Sequence, residues 1–264
     1  MSEGKSPVKA SVMMITYNHE PFISQAIDSV LMQDVDFAYE LVIGEDCSTD
    51  NTKSIVMDYQ SRHSDKIRLL PSDRNLGMMR NFERTYRACR GQYLSILDGD
   101  DYWTSTEKLK RQVKFLDENP DFSLCFSRIN IERDGVVNHN EWAPVVAKDI
   151  SDLADLVEEN FIPSCSVTYR MGLVPRFPEW MFSLCIGDWP LHILHAQHGK
   201  IGFLREIMAV YREHHTSSWS SKAVARKYGE IIKAYICIDK HLNHRFSRGV
   251  RQKIGLLTDR KSVV

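Results

Sequence analysis

In the first part of the chain, short continuous apolar runs alternate with apolar positions at helical spacing. Ser11-Val12-Met13-Met14-Ile15 is the kind of run that forms a strand buried on both faces. After a polar break, Ile23, Ile27, Val30 and Leu31 fall on one side of a helix. Tyr39 to Gly44 predicts a second strand. It leads into Glu45-Asp46-Cys47-Ser48-Thr49-Asp50, whose Ser and Asp residues suit the cap of a helix carrying Ile55, Val56 and Tyr59. Ile67 to Leu70 predicts a third strand and Met78 to Cys89 a third helix. Tyr93 to Leu97 predicts a fourth strand, which stops at Asp98-Gly99-Asp100-Asp101. The order predicts an α/β fold, with a central, mostly parallel sheet, right-handed crossovers and flanking helices. Ligands of such sheets bind beyond the carboxyl ends of the strands, where Thr16–Glu20, Glu45–Ser48 and Asp98–Asp101 fall.

The second half is looser. Lys108 to Asn119 predicts a helix with Leu109, Val113 and Leu116 on one face. Short strands are expected at Leu124–Ser127, Val167–Tyr169 and Met208–Tyr211, with a helix over Asp188–Gln197. No internal repeat is present. From residue 222 an amphipathic helix with Tyr228, Ile231, Ile232, Tyr235 and Ile238 gives way to a basic tail. There Lys240, Arg245, Arg248, Arg251, Lys253, Arg260 and Lys261 face Asp259. Two readings follow: the stretch packs its apolar side on the domain and leaves its charge in solvent, or it lies on an anionic membrane surface.

Composition narrows the classes. With 264 residues, 43% hydrophobic and 26% charged, the chain is long enough for one sizeable core. A formal charge of -1 gives no global field for nucleic acid, so an anionic partner is met by local cations or a metal. The six cysteines lack zinc-site spacing and read as free thiols in a reducing compartment. Met1–Ala10 lacks the apolar stretch of a signal peptide, and no run is long enough to span a bilayer. The expected location is the cytoplasm, with peripheral contact at the inner face of the membrane as the one extension.

The candidate chemistry centres on Asp98-Gly99-Asp100-Asp101. Three carboxylates within four residues repel one another unless a cation lies among them, and Mn²⁺ or Mg²⁺ would suit, with coordination positions left for substrate phosphates. Gly99 is read as supplying turn freedom. A polar turn with a helix cap is the competing reading. Arg80 and Arg212 match phosphate oxygens bidentately, or serve as surface ion pairs. On the residues alone Asp188, ahead of Trp189-Pro190 at a helix start, is a cap.

Six motifs in order resemble the family 2 glycosyltransferases, which have the nucleotide-sugar-binding GT-A fold. They are Ile15-Thr16-Tyr17-Asn18, Glu45 to Asp50, Asn75-Leu76-Gly77 with Arg80-Asn81, Leu97 to Trp103, Gly187-Asp188-Trp189, and Tyr211-Arg212-Glu213-His214 followed by Trp219-Ser220. The likeness runs from Val12 to about Ser221. It implies a domain over residues 1–221, with a nucleotide-sugar-binding half at 1–103 and an acceptor-binding half at 104–221, and a helical basic extension at 222–264. It implies Thr16 and Asp46 on the nucleoside, favouring a uracil or thymine base, although Glu45 stands where many relatives have a second aspartate. It also implies Asp98 near the ribose, Asp100 on the metal, His214 as a further metal or phosphate contact beside His215, and Asp188 as the base of an inverting transfer. The implied partners are a UDP- or TDP-sugar and a glycan or lipid-linked glycan acceptor. Trp189 is placed near the acceptor through its neighbour Asp188, although each tryptophan also suits packing.

Pyrophosphorylases, P-loop kinases and Rossmann dehydrogenases are disfavoured, because no glycine-rich phosphate loop follows the first strand. A binding module that keeps the fold without turnover is the alternative from another class, and the presence of both Asp100 and Asp188 weighs against it.

Overall fold

The computed structural model describes residues 7–142, 148–217 and 219–262. Its first half follows the predicted alternation: β1 (Ala10–Thr16), α1 (Ile23–Leu31), β2 (Tyr39–Glu45), α2 (Thr52–Arg62), β3 (Ile67–Leu70), α3 (Met78–Ala88) and β4 (Tyr93–Ile96). There follow β5 (Tyr102–Trp103), α4 (Lys108–Glu118), β6 (Phe122–Arg133), β7 (Val136–Trp142), β8 (Ile150–Ser151), α5 (Leu153–Glu158) and β9 (Thr168–Arg170). The chain continues with α6 (Asp188–Ala196), β10 (Lys200–Glu213), α7 (Val224–His241) and α8 (Ser247–Ser262).

Among the described residues ten strands form one sheet in the order β3-β2-β1-β4-β9-β6-β10-β5, with β7 paired to β6 and β8 to β10. Strands β3, β2, β1 and β4 are parallel neighbours. β9 is antiparallel to both β4 and β6, so β6 and its parallel neighbour β10 run in the same direction as β1. Short antiparallel strands are thus inserted into a mostly parallel sheet. Expected strands at 124–127 and 208–211 are the inner parts of the much longer β6 and β10. Polar positions outside those short runs hide the extension, since Asn130 and Glu132 alternate with buried Ile129 and Ile131, and β10 carries irregularities between Leu204 and Ala209.

The uniform apolar character of β1 has a simple cause. Val12 and Met14 join a cluster with Ile23, Ile27 and Leu109, whereas Met13 joins one with Phe82, Leu94 and Leu191. Helices cover both faces, so both sets of alternating side chains are buried. Ala234, Tyr235, Ile238 and Val250 of the C-terminal helices belong to the second of these clusters. The tail therefore packs on the domain, with α7 against α6 and α8 against α5. Among the described residues no helix is long and apolar enough to cross a membrane.

Candidate active site

Loops after β1, β2 and β4 meet at one edge of the sheet and are tied together through their backbones. Asp46 N–H donates to the Thr16 carbonyl at 3.1 Å and Gly99 N–H to the Ile15 carbonyl at 3.0 Å. Asn18 (φ 55°) and Cys47 (φ 60°) adopt left-handed backbone at these loops, a conformation that costs a non-glycine residue free energy and is common at ligand sites. Side-chain bonds hold it: Thr49 N–H donates to Asn18 Oδ1 at 2.8 Å, and Asn18 N–H to Ser48 Oγ at 3.0 Å.

A cleft of about 920 Å³ opens here, lined by Thr16, His19, Asp46, Asp98, Asp100 and Asp188 among others. Its far wall comes from the C-terminal helices, through Lys227, Ile231, Lys253 and Leu257. Sites nearly a hundred positions apart in sequence, Asp98 after β4 and Asp188 at the first position of α6, thus face one space.

Asp98 Oδ1 is buried without a hydrogen-bond partner. Burial, then the charges of Asp100 and Asp188, push its carboxyl well above the ordinary range. Asp100 behaves oppositely: burial raises it, but the His19 charge and the His214 hydrogen bond outweigh that and hold the group low. His214 Nε2 lies 3.1 Å from Asp100 Oδ2, and His214 Nδ1 lies 2.8 Å from Thr216 Oγ1. His215 is exposed, so His214 is the histidine that faces Asp100. An imidazole with one nitrogen held by a polar partner and the other beside a carboxylate is a donor set suited to a divalent cation. Among the described residues no three acidic, histidine or cysteine side chains form a ready-made metal group. A metal held by Asp100 and His214 would accordingly take its remaining ligands from substrate phosphates and water.

Other candidates are placed less directly. Both Asp46 oxygens accept backbone N–H bonds, from Leu76 at 2.8 Å and Gly77 at 3.0 Å, so the acid fixes the 75–77 loop at the cleft wall. Thr16 Oγ1 is buried and has no partner. Arg80 is exposed and lines a separate surface recess with Arg74, Glu83 and Arg84, so the structure does not bring it into the cleft. Arg212 is turned inward. Its guanidinium donates to Glu132 Oε1 at 3.0 Å, to the Asp100 carbonyl at 2.9 Å and to Gln25 Oε1, and it lies 4.4 Å from the Tyr102 ring centroid. Where a phosphate contact was expected, three of its five guanidinium N–H groups instead clamp the aspartate loop beside β5 and β10. Asp101 completes that clamp by accepting the Arg212 backbone N–H at 2.8 Å. Burial, followed by Asp100 and Asp98, pushes the Asp101 carboxyl well up. Trp189 is a buried packing residue whose indole donates to the Leu156 carbonyl at 3.0 Å, although its edge reaches the cleft.

Sequence reasoning passed over His19, whose Nε2 lies 3.7 Å from Asp100 Oδ2. The available signal was its position in the polar loop after β1. It also missed Gln25 and Glu132, which carry no local motif.

Residues 11–177 match the family described as Glycosyl transferase family 2, and the chain belongs to it. An uncharacterized protein of Mycobacterium tuberculosis is 35% identical over 217 residues, covering 82% of this chain and 62% of the relative. An uncharacterized glycosyltransferase of Nostoc sp. is 30% identical over 229 residues, covering 83% of this chain and 69% of that protein. This chain thus spans less than two thirds of the mycobacterial relative's length. The fold is GT-A. It matches Staphylococcus aureus TarS 1–349 in complex with UDP-GlcNAc with a TM-score of 0.66 and 22% identity, over 85% of this chain and 65% of that one. It also matches the mannosyltransferase PcManGT from Pyrobaculum calidifontis in complex with GDP-Man and Mn²⁺, with a TM-score of 0.65 and 17% identity, over 87% and 63%.

Proposed function

We propose that the chain is an inverting glycosyltransferase that moves a sugar from a UDP- or TDP-sugar to an acceptor hydroxyl. The observation that carries this reading is the convergence of Asp98, Asp100, His214 and Asp188 on one cleft at the carboxyl ends of the strands. The nucleotide sugar and Mn²⁺ in the similar structures point to the same ligand class.

In this reading Asp100 and His214 hold Mn²⁺ or Mg²⁺. When bound, the ion offsets charge on the departing nucleoside diphosphate. Thr16 and the Asp46-anchored loop seat the nucleoside, and Asp98 sits by the ribose. Asp188 takes the proton from the acceptor hydroxyl as that oxygen bonds to the anomeric carbon and the bond to the diphosphate breaks. Displacement from the face opposite the leaving group inverts the anomeric configuration. The acceptor is a glycan or lipid-linked glycan of bacterial surface polysaccharide or glycolipid synthesis, met in the cytoplasm, with peripheral membrane contact through the basic C-terminus.

Calorimetric titration with UDP, TDP, GDP and CDP, with Mn²⁺ and then with EDTA, is the first test. Metal-dependent preference for UDP or TDP is expected; binding of none of them rejects the reading. Asp188→Asn is expected to keep donor binding within about threefold while transfer falls at least about 100-fold, as for loss of a general base. Asp100→Ala is expected to weaken metal-dependent donor binding itself. Equal loss of donor binding in both variants contradicts the separate roles.

A further inference from the structure

The donor end of the cleft has fewer cationic contacts than the sequence suggests, since Arg80 lies outside it and Arg212 is committed to Glu132, Gln25 and the Asp100 carbonyl. Lys227 and Lys253 also line the cleft, but Lys227 donates to the Ser220 carbonyl and Lys253 lies 3.8 Å from Glu159. Beside the aspartate cluster itself stand two imidazoles, His214 and His19.

The geometry of His19 differs from that of His214 in a way that assigns a different task. Both imidazoles point Nε2 at the same oxygen, Asp100 Oδ2, but His214 does so at 3.1 Å and His19 at 3.7 Å. The longer distance is beyond hydrogen-bond reach. His214 has Thr216 on its Nδ1, the outer support usual for a metal-binding imidazole. His19 Nδ1 is buried with no partner. With Nδ1 enclosed, Nε2 is the ring nitrogen that His19 presents to the cleft. The backbone of His19 is held in place as well. His19 N–H donates to Thr52 Oγ1 at 2.8 Å, and its carbonyl accepts from Phe22 and Ile23, each at 2.9 Å.

We propose that His19 binds the donor's diphosphate directly, through Nε2–H, beside the metal-holding pair. The inference rests on the reading of the cleft as a nucleoside-diphosphate site.

The test titrates wild type, His19→Ala, His19→Gln and His19→Asn with whichever of UDP, TDP, GDP and CDP binds the wild type most tightly, and with the matching nucleoside. Each titration is run with Mn²⁺ and with EDTA. His19→Ala is expected to weaken the diphosphate about tenfold or more in both conditions, the scale of one hydrogen bond to a charged group, and to leave the nucleoside unchanged. Gln, whose amide nitrogen reaches the Nε2 position, is expected to stay within about threefold of wild type, whereas Asn, which reaches only Nδ1, behaves as Ala. Unchanged affinity in His19→Ala, or a loss confined to Mn²⁺, overturns the inference; the second result makes His19 a metal ligand. If the Ala variant does not fold, equal affinities of the Gln and Asn variants overturn it. Wild-type binding of none of the four diphosphates removes the parent reading, and is distinct from a wild type that binds and a variant that binds equally well.

Discussion

At the scale of single residues, packing reassigns several side chains whose type was plain in the sequence. Gly99 is one: its backbone is not left-handed, and the reason for glycine is space. A Cβ there would stand 2.7 Å from Thr16 Oγ1 and 2.9 Å from His19 Nδ1. Gly99→Ala is expected to displace both loops at a cost of about 1–3 kcal/mol, the range for overpacking, seen as a lower urea midpoint together with weaker nucleotide binding. Arg212 is only 6% exposed and its partner Glu132 16%. Removing one member of such a pair leaves a buried charge alone, so Arg212→Ala is expected to lose about 3–5 kcal/mol in denaturant melts. Exposed Arg80→Ala is expected to change stability by less than about 0.5 kcal/mol and leave donor affinity intact. Lys108 is a further reassignment. Read as the polar start of α4, it is fully buried, with Nζ donating to Gln112 Oε1 at 2.6 Å and lying 4.3 Å from the Trp103 ring centroid. Burial lowers its pKa to about 7. Sequence gives the charge of a lysine but not the neighbours that allow it inside.

At the scale of elements, α6 shows how a helix can combine a site residue with a pH liability. Its first residue is the candidate base, and every position from Trp189 to Ala196 is buried. His192 is paired at both nitrogens: Nε2–H donates to the Ile162 carbonyl at 3.2 Å, and Nδ1 accepts from the Tyr169 hydroxyl at 2.6 Å. The His195 ring lies tilted at 4.5 Å from that of Tyr169, with both nitrogens unpaired. Burial lowers His192 to about 4, and burial with the nearby His192 lowers His195 to about 3, from an ordinary 6.5. The unfolded chain therefore binds protons below pH 6.5 that the folded chain does not. The stability due to each neutral histidine is full above pH 6.5 and is lost as pH falls toward its folded value, by up to about 1.4 kcal/mol per pH unit each. His195→Phe keeps the ring in the core and removes the unpaired nitrogens. Its urea midpoint relative to wild type is expected to rise progressively from pH 7 to pH 5; a constant difference contradicts the assignment.

For the whole molecule, the C-terminal helices close the cleft as well as covering the core. Tyr235 packs edge-on to Trp189 at 4.8 Å and donates to the Glu158 carbonyl at 2.8 Å, while Lys253 lies 3.8 Å from Glu159. Deleting the basic tail would thus remove core residues such as Leu242 and Val250 along with the charge. Membrane contact is tested more cleanly by charge reversal on the exposed side of α8. Arg248→Glu with Arg251→Glu is expected to abolish co-sedimentation with anionic vesicles while the melting temperature and nucleotide binding stay unchanged. Equal sedimentation of variant and wild type removes the membrane reading and leaves α8 as a structural wall of the cleft.

Hydrophobic periodicity was sufficient for β1 to β4 and the helices between them, because strands covered on both faces must be continuously apolar and their crossovers must be amphipathic. The aspartate cluster was equally legible, since like charges crowded after a strand have few uses without a cation. The lengths of β6 and β10 were not, as their polar positions and irregular register break the pattern. Nor could the sequence show that His19 and His214 address one carboxylate oxygen, or that Arg212 is spent on the scaffold. Local residue order determines which elements form and which chemical groups the chain carries. Only the tertiary structure decides which of those groups are left with free donors and acceptors facing the same cleft, because that depends on contacts between segments about a hundred residues or more apart.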